Sequence, residues 1–263
     1  MAKQSGLHQL KGKVDGYSYY RQSGIKAGLM RRINEGLSAR VKTSEEFANT
    51  RLNNSEFGNA ADVAKVLASV ITPKFRPMFL NFSQAKLTKS LLALIKQATG
   101  DWGQRALAAG DIDAICAAAN ALAKNDPALL ADSITSAAGD STGKSDFTVD
   151  VLPDNVQVLE SFGADGIAIK AISFALHAGQ YSSAEKRYIK SESKIIASET
   201  LYVDAADLPT ANVFHLDATS APISGTTQYV ISLAILMPYR TVGEKNYILQ
   251  EKCTFKMIPA VVA

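Results

Sequence analysis

Residues 247–257 read YILQEKCTFKM, and their parity is the clearest structural signal in the chain. Tyr247, Leu249, Cys253, Phe255 and Met257 alternate with Ile248, Gln250, Lys252, Thr254 and Lys256, and a period of two puts each set on its own face of a strand. Glu251 breaks the alternation. VGEKN (242–246) supplies a turn before it, so 228–239 and 247–258 read as an antiparallel strand pair. Outward from this pair, 147–151, 166–177, 194–203 and 212–216 have the same β-prone character, whereas SSAEKRYIKSES (182–193) reads as a solvated loop. Residues 147–263 are therefore expected to form a mostly antiparallel sheet or sandwich.

Upstream the period changes to that of a helix. Thr43 or Ser44 followed by Glu46 is capping chemistry, and Asn59 opens a strong helix in which Val63, Val66, Leu67, Val70 and Ile71 are spaced i, i+3, i+4, i+7, i+8 up to the stop at Thr72-Pro73. Ser83 caps a second helix with Leu87, Leu91, Leu94, Ile95 and Ala98 on one side and Gly100 at its end. Asp111 caps a third, carrying Ile112, Ile115, Ala119 and Leu122, and Asp126-Pro127 starts a fourth with Leu130 and Ile134 turned inward. The expected fold class is α+β. An extended N-terminal arm or hairpin (1–42) precedes an alanine-rich helical bundle (43–137), a linker (138–146) and the β-rich domain (147–263).

Composition sets the outer bounds. Apolar residues make up 47% and charged residues 20% of the 263, which is enough to build a sizeable core. The longest apolar tract, IDAICAAANALA, is interrupted by Asp113 and Asn120, so no membrane span is expected, and no targeting segment is recognisable. Cys116 and Cys253 match no metal or redox spacing and read as buried small hydrophobes in a reducing compartment.

The catalytic motifs fail on context. AGDSTGKS (138–145) matches a phosphate-binding loop at Gly143, Lys144 and Ser145, but Ala138 stands at the first glycine and a strand, not a helix, follows. Ser83…Lys86 and Ser191…Lys194 have an S-x-x-K spacing without its companion elements. His8, His177 and His215 share no ligand spacing, and Asp111 and Asp113 suit a helix start without catalysis. No catalytic residue, metal or cofactor is expected, and the chain reads as a non-enzymatic protein.

The N-terminal stretch is different. Residues 1–42 hold nine Lys/Arg against Asp15 and Glu35, a net +7, which leaves −4 on the other 221 residues. GKVDGYSYYRQSGIKAGLMRR (12–32) reads as a hairpin: Val14, Tyr17, Tyr19 and Tyr20 favour strand, Ser23-Gly24 a turn, and 25–30 the return. A two-stranded hairpin is marginal alone in water. Three readings fit: a solvated tail, a nucleic-acid arm whose tyrosines stack on bases, and an assembly arm that adds to a neighbour's sheet edge. The third is preferred, because Ile25, Leu29, Met30 and Ile33 accompany the tyrosines. The expected partner-binding residues are Lys13, Tyr17, Tyr19, Tyr20, Arg21, Ile25, Arg31 and Arg32.

Gly12-Lys13-Val14, Tyr19-Tyr20, Arg31, Thr43, Arg51 and Phe57, with PYRTVGEKNYIL near the end, resemble a group of structural proteins of Bacteroidetes-infecting tailed phages, including crAss-like phages. The resemblance covers roughly the first 60 residues and part of the end. Asp15 interrupts the glycine spacing of that group, and the glutamine usual after the threonine is absent. It implies a virion assembly protein (a capsid-associated, neck or head–tail connector, or tail component) that is made in the host cytoplasm. The partners it implies are further copies of itself and other virion proteins, with nucleic acid second.

Overall fold

Strands come first in the chain, then helices, then strands again, the α+β order read from the sequence. The computed structural model describes residues 2–4, 12–14, 17–20, 28–32, 36–71, 83–123, 134–139, 143–151, 159–207 and 210–261. They belong to two compact units, Met1–Leu52 and Asn53–Ala263.

The first unit contains β1 (Ala2–Gln4), β2 (Gly12–Val14), β3 (Tyr17–Tyr20) and β4 (Gly28–Arg32), which form one antiparallel sheet in the order β1-β4-β3-β2. The predicted hairpin is present in part as β3 paired with β4: the return strand is Gly28–Arg32, not 25–30, and Val14, read with the tyrosines, lies on β2, which runs back antiparallel to β3, while β1 extends the other side. Four strands meet the requirement that a lone hairpin cannot. The helix α1 (Leu37–Thr43) follows, entered through Gly36 at φ 80°. Thr43 closes this helix instead of capping the next one, and Ser44, before a 3-10 turn at Glu45–Phe47, makes no side-chain cap bond. The turn is held by Arg51, whose guanidinium donates to the carbonyls of Val41 at 3.0 Å and Ser44 at 2.7 Å.

The helix α2 (Ala48–Ile71) is longer than its strongest periodic segment suggests, since Asn59 lies inside it, but it ends where Thr72-Pro73 predicts. Its buried row is Ala60, Val63, Ala64, Leu67, Val70 and Ile71. In α3 (Gln84–Gln97), Ser83 accepts a cap bond from the Lys86 amide, and Leu87, Leu91 and Ile95 are buried. In α4 (Ile112–Asn120), Ile115, Cys116 and Ala119 are buried; Asp111 accepts from the Ala108 amide at 2.7 Å instead of capping through N2 or N3. Leu130 and the proposed Asp126-Pro127 cap lie outside the described residues. Ile134 is not helical: it opens a strand.

The remaining strands are β5 (Ile134–Ala138), β6 (Lys144–Val151), β7 (Gly166–Gly179), β8 (Tyr181–Ser182), β9 (Arg187–Tyr188), β10 (Glu192–Asp204), β11 (Thr210–Asp217), β12 (Thr226–Val242), β13 (Lys245–Ile248) and β14 (Thr254–Pro259). One sheet runs β10-β7-β12, with both β13 and β14 on the far side of β12; a second runs β11-β6-β5. In β7 nearly every residue is buried, because both faces are covered. On one face Ala168, Ile172, Phe174 and Leu176, with Tyr229, Ile231, Leu233 and Ile235 of β12, pack in the same core as the buried rows of α2, α3 and α4. On the other, Ile167, Ile169, Ala171, Ala234 and Leu236 meet Phe147, Val149, Phe214 and Leu216 of the second sheet. Each large side chain buried in this way contributes about 1.5–3 kcal/mol.

Two expectations are corrected. Residues 138–146 are not a linker between domains: Ala138 pairs with Ser145 where β5 and β6 run antiparallel, inside one compact unit. The helices and the sheet share a core, which is why the division falls near Leu52 instead. The 247–258 strand is also two strands. β12 pairs β14 over 231–236 and β13 over 239–242, with Pro238 between them. Proline has no amide hydrogen to offer a ladder, and opposite it the chain leaves the sheet in a 3-10 turn at Gln250–Lys252, with the Leu249 amide on the Pro238 carbonyl at 2.8 Å.

Candidate interaction surface

The N-terminal sheet sorts its side chains by register. Tyr17 pairs with Arg32 and Tyr19 with Met30, so these share one face. Ser18 pairs with Arg31 and Lys13, and Tyr20 with Leu29, which places them on the other. Lys13, Tyr17, Arg31 and Arg32 are exposed, Tyr19 and Tyr20 half-buried, and Leu29 buried. The Arg31 guanidinium lies 5.8 Å from the Tyr20 ring centroid, within cation–π range. Arg21 and Ile25 fall outside the described residues. Six of the eight expected residues thus belong to one small sheet whose outer strands are β1 and β2.

Arg40, counted in the basic stretch, pairs with Glu46. Lys42, in the last turn of α1, is exposed. The sequence reading missed β1 and β2 as sheet edges, and it missed Arg51 as the clamp on the α1 turn. A three-residue strand carries too little periodicity to be recognised.

The motifs set aside on sequence are placed by the fold. Gly143, Lys144 and Ser145 sit where β5 turns into β6; Ser145 is buried with its hydroxyl 2.8 Å from that of Ser136, and Lys144 lies 3.6 Å from Asp217. A phosphate cradle needs a helix N-terminus after the loop, and a strand occupies that place. Ser191, read as part of a solvated loop, is buried: its hydroxyl accepts from the Gly179 amide at 3.1 Å and its own amide donates to Asp62 at 2.7 Å. Burial pushes the thiols of Cys116 and Cys253 up to about 12, with Asp113 adding to the effect on Cys116, so both stay protonated. His215 is 2.8 Å from Asp146.

His177 is buried in β7 beside a cleft of about 350 Å³ lined also by Glu192, Lys194, Ser220 and Ile223. Burial holds its imidazole below the ordinary range, with Glu192 opposing and Lys194 reinforcing the shift. Among the described residues no cluster of His, Cys, Asp or Glu could hold a metal ion, and no described helix is long and apolar enough to cross a membrane.

The second unit has a long strand at the end of its sheet. β10 pairs β7 over twelve positions and no other strand among the described residues. The far side of the sheet is treated differently: the Asn120 side chain donates to the Met257 carbonyl and accepts from its amide, both at 2.7 Å, which occupies the outer edge of β14. Along β10, Ile195, Leu201 and Tyr202 are exposed at 52%, 37% and 55%. Searched against known proteins, the sequence matches no family model and no curated protein.

Proposed function

We propose that the chain is a non-enzymatic structural protein of a tailed-phage virion, a capsid-associated, neck or tail component, that docks on neighbouring subunits through its N-terminal sheet. The observation that carries the docking is the sheet itself: it lies in the compact unit Met1–Leu52 and exposes Lys13, Tyr17, Arg31 and Arg32, with β1 and β2 as its outer strands among the described residues. The virion setting rests on the resemblance of the first 60 or so residues and of the Tyr247 hairpin to phage structural proteins.

A second reading is a nucleic-acid-binding accessory protein, favoured by Lys13 and Arg31 on one face beside Tyr20. Base stacking along a strand works best where aromatic and basic side chains interleave on one surface. Here Leu29 and Met30 lie in register with Tyr20 and Tyr19, apolar company that supports protein docking over nucleic acid.

The test is incorporation of full-length variants into particles. Tyr17→Ala/Tyr19→Ala is expected to abolish incorporation, and Arg31→Ala/Arg32→Ala to cost less, with weak DNA binding in the unmodified protein. Tight DNA binding at physiological salt, with log K falling by about 0.9 per phosphate contacted on duplex DNA, lost with the arginines and indifferent to the tyrosines, would install the second reading.

A further inference from the structure

We infer that the outer edge of β10 is the acceptor for the N-terminal sheet of a second copy of this chain, so that copies join head to tail; this rests on the assembly reading above. The geometry comes first. β10 is a thirteen-residue strand at the end of a sheet, and such edges are normally blunted by lysine, proline or a covering element. After the irregularity at Ile195–Ala197 the register runs unbroken from Ala197 to Asp204, and residues 195–204 contain no lysine, arginine or proline. Tyr202 and Leu201 stand exposed on opposite faces of that segment. The edge therefore has the properties of a pairing template.

Charge selects the occupant. β10 itself holds Glu192, Glu199 and Asp204 against Lys194, a net −2. The first 42 residues carry +7. Pairing β10 with the same strand of another copy would set acidic edges against each other, and like charges directly opposite are destabilising. The basic sheet meets the same edge with opposite sign. Of its two edges, β2 brings exposed Lys13, with Arg31 in register on the same face.

Donor and acceptor are then different surfaces, so the contact is heterologous. Each copy carries one of each, and repeated joining gives a ring or a helical array, not a closed two-fold dimer.

The experiment uses full-length chains with exposed substitutions, each checked for native circular dichroism. Lys13→Glu/Arg31→Glu disables the donor and Glu199→Lys/Tyr202→Lys the acceptor, and sedimentation velocity over a concentration series reads the assembly state. The unmodified chain is expected to grow beyond a dimer, and each variant alone to associate at least tenfold more weakly. Mixed in equal amounts, the two variants should form a one-to-one complex that stops there, because each retains the half the other lacks. Loss of assembly in the donor variant with none in the acceptor variant would overturn the assignment of β10 while leaving the docking role of the N-terminal sheet intact. Dimers indifferent to the donor variant and lost with the acceptor variant would mean β10 self-pairing, and would sink the head-to-tail inference while leaving docking on another virion protein standing. A chain that stays monomeric at high micromolar concentration overturns self-acceptance and leaves docking on another virion protein standing.

Discussion

Glu56 is buried within α2 and still holds a charge. Burial alone would raise its pKa, but Arg105 donates through Nε at 2.7 Å and through its terminal nitrogen at 2.9 Å, and the Gly103 amide adds a bond of 2.8 Å. Together these outweigh burial and hold the carboxylate below its ordinary value of 4.5. A depressed folded pKa gives stability that is complete above the ordinary value and is lost as pH falls through the folded one. The urea midpoint should therefore drop between pH 6 and pH 3, and by less in Glu56→Gln. Arg105→Met leaves the buried carboxylate with the amide alone and is expected to cost about 3–5 kcal/mol at neutral pH. An Arg105→Met chain as stable as the unmodified one would mean that Glu56 is not charged in the fold. Neither residue was legible as a pair: they are 49 positions apart, and a lone Glu in a helical pattern reads as a solvated side chain.

At the scale of elements, α4 does more than fill a core. Its last residue, Asn120, completes the hydrogen bonding of Met257 on β14. Asn120→Ala would leave both backbone groups of Met257 unmatched at that edge, at a cost of about 1–3 kcal/mol, and amide exchange at Met257 should accelerate more than at Phe255. Equal rates at the two amides would show that the side chain is not what protects the edge. In the sequence Asn120 was visible merely as an interruption of an apolar tract. The strands themselves were readable wherever a β-prone run was long, as in β7, β10 and β12. The division of 247–258 was not, because its cause is Pro238 on a neighbouring strand. Parity records which face a residue takes and is silent on what its partner strand cannot supply. The candidate surface followed the same rule: tyrosines and arginines marked β3 and β4, whereas the partnering of β1 and the exposed edge of β10 depend on strand order.

For the molecule as a whole, the position of β12 governs when anything can be finished. It pairs with β7 on one side and with β13 and β14 on the other, and its residues enter both cores. Yet it begins at Thr226, roughly a hundred residues after α4 ends. At about 5–20 residues per second, a ribosome leaves the apolar rows of α2, α3 and α4 without their sheet for on the order of 5–20 s. The N-terminal sheet has no such wait, since its pairings lie within residues 2–32. Birth order thus separates the two units: the N-terminal sheet is complete before β12 has been made. Stalled chains ending before Thr226 are expected to yield a protease-resistant fragment no larger than the first unit, and chains released at full length to resist cleavage throughout β7 and β12. If the assembly proposed above holds, this delay is a safeguard, because a nascent chain could seek a finished neighbour long before it could be one.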